Sequence, residues 1–191
     1  VVRLQKAPKI AIYSPNNKQP WDDAVTLALT YAEIPYAVIY DEEVLSNLLP
    51  LYDWLHLHHE DFTGQYGKFY ASFKNATWYK DQKRDYEILA KKLGYEKVST
   101  EKLAVAKKIK EFVNGGGFLF AMCSATDSYD IALAAEGLDI CGPMFDGDAA
   151  DPSAQEKLDF SKTLAFKNFS LVKNPNQYEF SSIDATQKRR L

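Results

Sequence analysis

Cysteine, methionine and histidine are scarce in this chain: two, two and three among 191 residues. Two cysteines, Cys123 and Cys141, cannot build a disulfide scaffold, so they are two free thiols or one bridge. No run approaches the 18 or so apolar residues of a membrane span, which argues against membrane insertion. No signal peptide is visible. The chain opens VVRLQK without methionine, so the expected compartment is the cytoplasm, or a periplasm reached after a leader is removed. Charge of one sign is also lacking. The net charge is -3 and the pI about 5.7, giving no electrostatic case for nucleic acid. KDQKR at 80–84 and KRR at 188–190 are short and read as surface. No G-x-G-x-x-G follows KIAIYS and no G-x-x-x-x-G-K-[ST] occurs, so neither a dinucleotide nor a P-loop nucleotide is expected as cofactor. There is no internal repeat.

What is present suits a packed domain. The chain is 46% hydrophobic and 26% charged, with 12 Tyr and 11 Phe. A single domain over 1–191 can bury roughly 70% of its unfolded surface. Residues 150–191 are either a C-terminal extension or the last strands of the sheet.

KIAIYS (9–14) predicts a first buried strand ending in SPNN. QPWDDAVTLALTYAEI then shows helical spacing, with Trp21, Val25, Ala28, Leu29 and Ala32 on one face. Pro20 and two acids stand at its start, and Pro35 stops it. PYAVIYD is a second strand, EEVLSNLLPLY a short helix, and DWLHLHHED (53–61) a third strand with its exit. Residues 62–79 lack a clean period and predict a long connection, of the kind that commonly serves a site. Helices follow over 80–93, capped by Gly94, and over 100–113, with a stripe of Leu103, Ala106, Ile109 and Val113. GFLFAMC is a fourth strand, taken as central, and DSYDIALAAEGLD opens a helix. LAFKNFSLV (164–172) alternates as one or two further strands. The alternation of strands and helices predicts an α/β fold in three layers, a mostly parallel sheet with helices on both faces.

Three places could carry chemistry. Cys123 falls at a strand-to-helix turn, where backbone N–H groups favour a thiolate and can hold an oxyanion. Ser124 and Ala125 are small enough for a tight nucleophile elbow. Asp127 caps the helix or touches substrate, and the cysteine could instead be a small apolar filler. All three histidines, His56, His58 and His59, lie within HLHHED. His56 reads as a structural residue inside the sheet. His58, His59, Glu60 and Asp61 should emerge at the carboxyl edge, where an imidazole could deprotonate the thiol and a carboxylate orient it. The same cluster could hold a metal, although its spacing matches no strong metal motif. Asp146, Asp148 and Asp151 in GPMFDGDAADP lack the rest of a calcium loop and read as a solvated turn. Asn16 and Asn17, after the first strand, could bind a polar ligand through their amides or merely close a turn.

Ala121-Met122-Cys123-Ser124-Ala125, with NGGGFLF before it, resembles the cysteine elbow of the class I glutamine amidotransferase-like superfamily, over roughly 9–145. More closely, PNNKQPWDDAVTLALTYAEIPY, DWLHLHHEDFTGQYGKFY and GGGFLFAMCSATDSYDIALAAEG look like a Bacteroidetes group often labelled "asparagine synthetase B". The resemblance implies a flavodoxin-like sheet and a nucleophilic Cys123. Two departures stand out. Both elbow glycines are alanines, Ala121 and Ala125, and no histidine follows His59, where the family places its P-x-H-x-E pattern. The expected function is a cysteine-dependent hydrolase of a small amide or carbonyl compound. The alternatives are an inactive small-molecule or sugar-binding module and a metal-dependent hydrolase through HHED. The expected partner is a small-molecule ligand, with a homodimer left open.

Overall fold

In the computed structural model, residues 7–15 and 24–185 are described. Four short strands pair in parallel: β1 (Ile10–Tyr13), β2 (Tyr36–Ile39), β3 (Trp54–Leu57) and β4 (Phe118–Ala121). Their order is β2-β1-β3-β4. The β1 residues IAIY are all buried, as an apolar run in the middle of a covered parallel sheet should be. β4 departs from expectation. It is an edge strand, and its FLFA residues alternate between exposed and half-buried.

The chain first steps from β1 to β2, then reverses across β1 to β3 and β4. Right-handed crossovers therefore put α1 (Ala24–Tyr31) on one face of the sheet. The other face receives α2 (Asp41–Leu45), α4 (Thr77–Lys92), α5 (Val98–Asn114) and α6 (Ala125–Ala134). The short α3 (Tyr70–Phe73) precedes α4. The result is a three-layer α/β domain. The main core lies on the α5 face, where Ala11, Tyr13, Leu55 and Leu57 meet Val44, Val105, Ile109 and Tyr129. The α1 face is thinner. Val38, Phe118 and Phe120 are exposed there, and no residue of α1 is fully buried.

The helices shift from their expected positions. α1 is described only from Ala24, and Pro20, Trp21, Asp22 and Asp23 lie outside the described residues. α4 begins earlier than expected, at Thr77. α5 begins at Val98 and turns Glu101, Lys102, Val105, Ile109 and Phe112 inward, leaving Leu103 and Val113 half-buried. Its end is closed by backbone bonds from Gly116 N to Val113 O and from Gly117 N to Phe112 O, both 3.0 Å, with Gly116 at φ 98°. Gly117 is required for space: a Cβ there would lie 2.2 Å from the Phe112 ring.

Past α6 the chain forms α7 (Pro143–Asp146) and α8 (Ala154–Lys157), then irregular backbone. The alternation in LAFKNFSLV produces no strand, only an isolated bridge between Leu171 and Ser181. The amides of Leu164, Ala165 and Phe166 go instead to the buried Asp130 carboxylate at 2.7–2.8 Å. Leu158, Phe169 and Phe180 then cover the outer side of α6 at Ile131 and Ala134. This explains why α6 is buried almost all round.

Candidate functional site

A parallel sheet gathers ligands at the carboxyl ends of its strands, where the strand order reverses. Here that point lies between β1 and β3. A small cavity of about 50 Å³ opens there. Ser14 and Pro15 from the end of β1, Tyr40 after β2, and His58, His59, Glu60 and Asp61 after β3 form one side. Tyr66, Gly67 and Phe69 from the following loop, Gln82 and Tyr86 of α4, and Lys102 of α5 form the other.

The HHED segment is shaped by its own acids. The His58 amide donates to Glu60 Oε2 at 2.6 Å. Asp61 accepts from Thr63 N, Thr63 Oγ1 and Gly67 N at 2.6–2.9 Å, which folds the loop back over the cavity. Burial pushes the Asp61 carboxyl upward, and these donors oppose the shift. The His58 and His59 rings stack with centroids 3.6 Å apart. His56 is fully buried against Phe120. The loop turns through three successive left-handed residues, Tyr66, Gly67 and Lys68, at φ 52°, 70° and 55°. Two of these carry side chains, at a cost of order 1–3 kcal/mol each.

Cys123 follows β4 and precedes α6. Its thiol is exposed and its backbone is left-handed, at φ 49°. The β3–β4 register pairs Leu57 with Ala121, and Met122 N continues it to Leu57 O at 3.0 Å. Two residues on, the Ser124 hydroxyl donates to the His59 carbonyl at 2.7 Å, and Ser128 Oγ donates to Glu60 O at 2.8 Å. The thiol turn and the histidine exit are thus stitched together side by side. Cys123 is nonetheless not among the residues lining the cavity. Burial pushes the Tyr178 phenol up to about 12. Asp127, near the start of α6, is buried beside Ser181 Oγ. Burial and then the neighbouring Asp184 carboxylate raise it to about 7. Asn16 and Asn17 lie outside the described residues.

Beneath the cavity sits a charged cluster that the helical stripe did not reveal. Lys102 Nζ donates to Asp41 Oδ2 at 2.6 Å, to Tyr40 OH at 2.9 Å and to Tyr13 OH at 3.0 Å. Tyr13 donates its own hydroxyl to Asp41 Oδ1. Burial raises the nearby Glu101 carboxyl, and the Lys102 ammonium pulls the other way. Lys68 was missed too. Its ammonium is buried, and burial lowers it to about 8.

The acidic loop is neutralised from within the chain. Lys97 Nζ contacts Asp139 and Asp148 at 2.6 Å and Asp146 at 3.0 Å. Asp139, Cys141 and Asp146 form the one close group of potential metal donors among the described residues, and HHED does not form such a group. The Cys141 S–H donates to Thr63 O at 3.1 Å, and burial pushes its thiol up. Asp151 is held by Ser153 and Lys157. Both cysteines are free thiols.

No family model, curated protein or solved structure matches the chain. A small α/β domain with a parallel sheet flanked by helices agrees with glutamine amidotransferase-like and flavodoxin-like proteins in general architecture alone. No helix among the described residues is long and apolar enough to cross a membrane.

Proposed function

We propose that this protein is a cysteine-dependent, amidotransferase-like hydrolase acting on a small amide or carbonyl compound at the carboxyl edge of its sheet. The observation that carries this reading is Cys123 itself. An exposed cysteine on a left-handed residue between a strand and a helix start, one position before the Ser124 that bonds the His59 carbonyl, is a costly place for mere packing. In this mechanism the Cys123 sulfur adds to the carbonyl carbon, and amides at the start of α6 bind the oxyanion. The carbon–nitrogen bond then breaks as His58 or His59 delivers to the departing amine the proton it took from the thiol. Water cleaves the resulting thioester and restores the thiol. Glu60 and Asp61 shape the segment that presents the imidazoles.

The test is turnover of a panel of small primary amides and esters by the wild-type chain, with acyl-enzyme trapping read by intact mass. Activity and adduct should both vanish in Cys123→Ala. Turnover that survives this substitution would overturn the proposal.

A second reading is a binding module without turnover, for a sugar or another small polar molecule. It is favoured by the absence of Cys123 from the cavity lining and by the aromatic walls at Tyr66, Phe69 and Tyr86. Saturable binding of a sugar, unaffected by Cys123→Ala and accompanied by no chemistry, would support it.

A further inference from the structure

Two phenols in the cavity wall have their oxygens already engaged. Tyr40 OH accepts from Lys102 Nζ at 2.9 Å, and Tyr86 OH accepts from Gln82 Nε2 at 3.1 Å. All four residues line the cavity, and the two rings lie 6.4 Å apart between centroids. A phenol has one hydrogen, and an oxygen that is accepting leaves that hydrogen to be given elsewhere. Lys102 cannot take it, because an ammonium has no acceptor. Tyr40 and Tyr86 thus form a donor pair on the cavity wall. Even where one phenol donates to the other, the second hydrogen calls for a third acceptor. The charges around the pair select against ions of either sign. Lys102 is the only lysine or arginine in the lining, and Asp41 balances it at 2.6 Å. Glu60 and Asp61 line the same cavity and repel an anion. The Lys102 ammonium lies 4.2 Å from the Tyr40 ring centre and 5.4 Å from that of Tyr86, so those rings already hold a cation. A cavity of about 50 Å³ has room for roughly four water-sized groups, the bulk of an acetyl or carboxamide group.

We propose that this cavity is a subsite for a neutral carbonyl group of acetyl or carboxamide size, with Tyr40 and Tyr86 as its hydrogen-bond donors and Lys102 as the residue that orients Tyr40. The inference deepens the proposed function and rests on its placing of the ligand at the carboxyl edge of the sheet. It concerns a second carbonyl, not the one attacked by Cys123. His59 joins the two places: it lines the cavity, and its carbonyl accepts the Ser124 hydroxyl beside the thiol turn. The substrate class is therefore a small molecule with a reacting carbonyl at one end and an uncharged carbonyl at the other. Hydrogen bonds in a chain polarise one another, so the ammonium behind Tyr40 makes its hydroxyl the better donor. A buried donor left without an acceptor is costly, so the subsite also rejects an alkyl group of the same size.

The experiment is an NMR titration of the 15N-labelled chain carrying Cys123→Ala, which lies outside the cavity lining and removes turnover. Acetamide, acetate and methylammonium are each added to about 0.2 M, a range suited to so small a ligand. N-acetylglucosamine against glucose separates an acetyl group carried on a sugar from a free amide. Acetamide should give saturable shifts of the His58, His59 and Gly67 amides, and both ions should bind about tenfold more weakly or not at all. Tyr40→Phe and Tyr86→Phe, checked for folding by circular dichroism, should each weaken acetamide about five- to tenfold. Tyr66→Phe should bind as the parent does, because that hydroxyl donates to Glu87. Acetate or methylammonium binding as tightly as acetamide would overturn the inference. So would the absence of shifts with both acetamide and N-acetylglucosamine, or an unchanged affinity in a folded Tyr86→Phe. Tyr86 is half-buried, so its variant keeps the test decisive where Tyr40→Phe fails to fold. Binding here without turnover by the wild-type chain counts against the hydrolase reading alone, and turnover without binding here counts against the subsite alone.

Discussion

Lys102 Nζ and Asp41 Oδ2 meet at 2.6 Å with almost no solvent contact on either side chain. Two hydroxyls, from Tyr13 and Tyr40, complete the ammonium's shell, and the Tyr40 ring lies 4.2 Å from it. The pair joins α5 to the start of α2 directly under the cavity. Charges this deep persist only when fully paired. Lys102→Met should cost about 3–5 kcal/mol, because the Asp41 charge is then buried without its counter-ion, with the Tyr13 hydroxyl still on it. Adding Asp41→Asn should recover part of the loss. Urea unfolding of the four members of that double-mutant cycle measures the coupling.

The two thiols should behave oppositely. Cys123 is exposed, whereas Cys141 is fully buried with its hydrogen on the Thr63 carbonyl. Native protein should take up one equivalent of maleimide, at Cys123. The second should react only above the unfolding midpoint in urea. Peptide mapping at both stages gives the answer.

Stability should depend on pH through Asp127. Its carboxyl ionises near 3.8 in an ordinary setting and is held at about 7 here, first by burial and second by Asp184. Between those values the native state keeps a proton that the unfolded chain has released. The contribution is therefore complete below about pH 4 and is lost as the pH rises through 7. The raised carboxyls of Asp61 and Glu101 act in the same direction. Asp127→Asn should flatten the decline between pH 5 and 8, and urea midpoints across that range would show it.

Gly117→Ala tests the close approach at the end of α5. The added methyl would meet the Phe112 ring at 2.2 Å, and that ring belongs to the main core. The expected loss is about 1–3 kcal/mol, as for other overpacked sites. Gly115→Ala, where the nearest atoms are 3.4 Å away, should be tolerated much better.

Local patterns carried much of the architecture. IAIY, WLHL and FLFA are strands because short apolar runs bounded by turn residues can hardly be anything else, and the HHED exit lies at the carboxyl edge because β3 ends at Leu57. The edge position of β4 was not legible, because nothing in a four-residue strand says how many neighbours it has. The charged cluster was hidden for a different reason. Glu101 and Lys102 look like the solvated side of an amphipathic helix until Asp41, about sixty positions earlier, is folded against them. Lys68 leaves still less trace. The partners of Lys68 lie 104 and 111 residues away, where no periodicity reaches. LAFKNFSLV shows the reverse error: a convincing alternation overruled when Asp130 captured three consecutive amides.

The left-handed run at Tyr66–Lys68 bears on any attempt to make this protein hardier. Glycine at positions 66 and 68 would relax the backbone, and a consensus or computational redesign would be drawn to both. Yet those substitutions would strip one ring from the cavity wall and the ammonium that binds the carbonyls of residues 172 and 179. Heat tolerance and ligand handling would then be traded against each other within three residues.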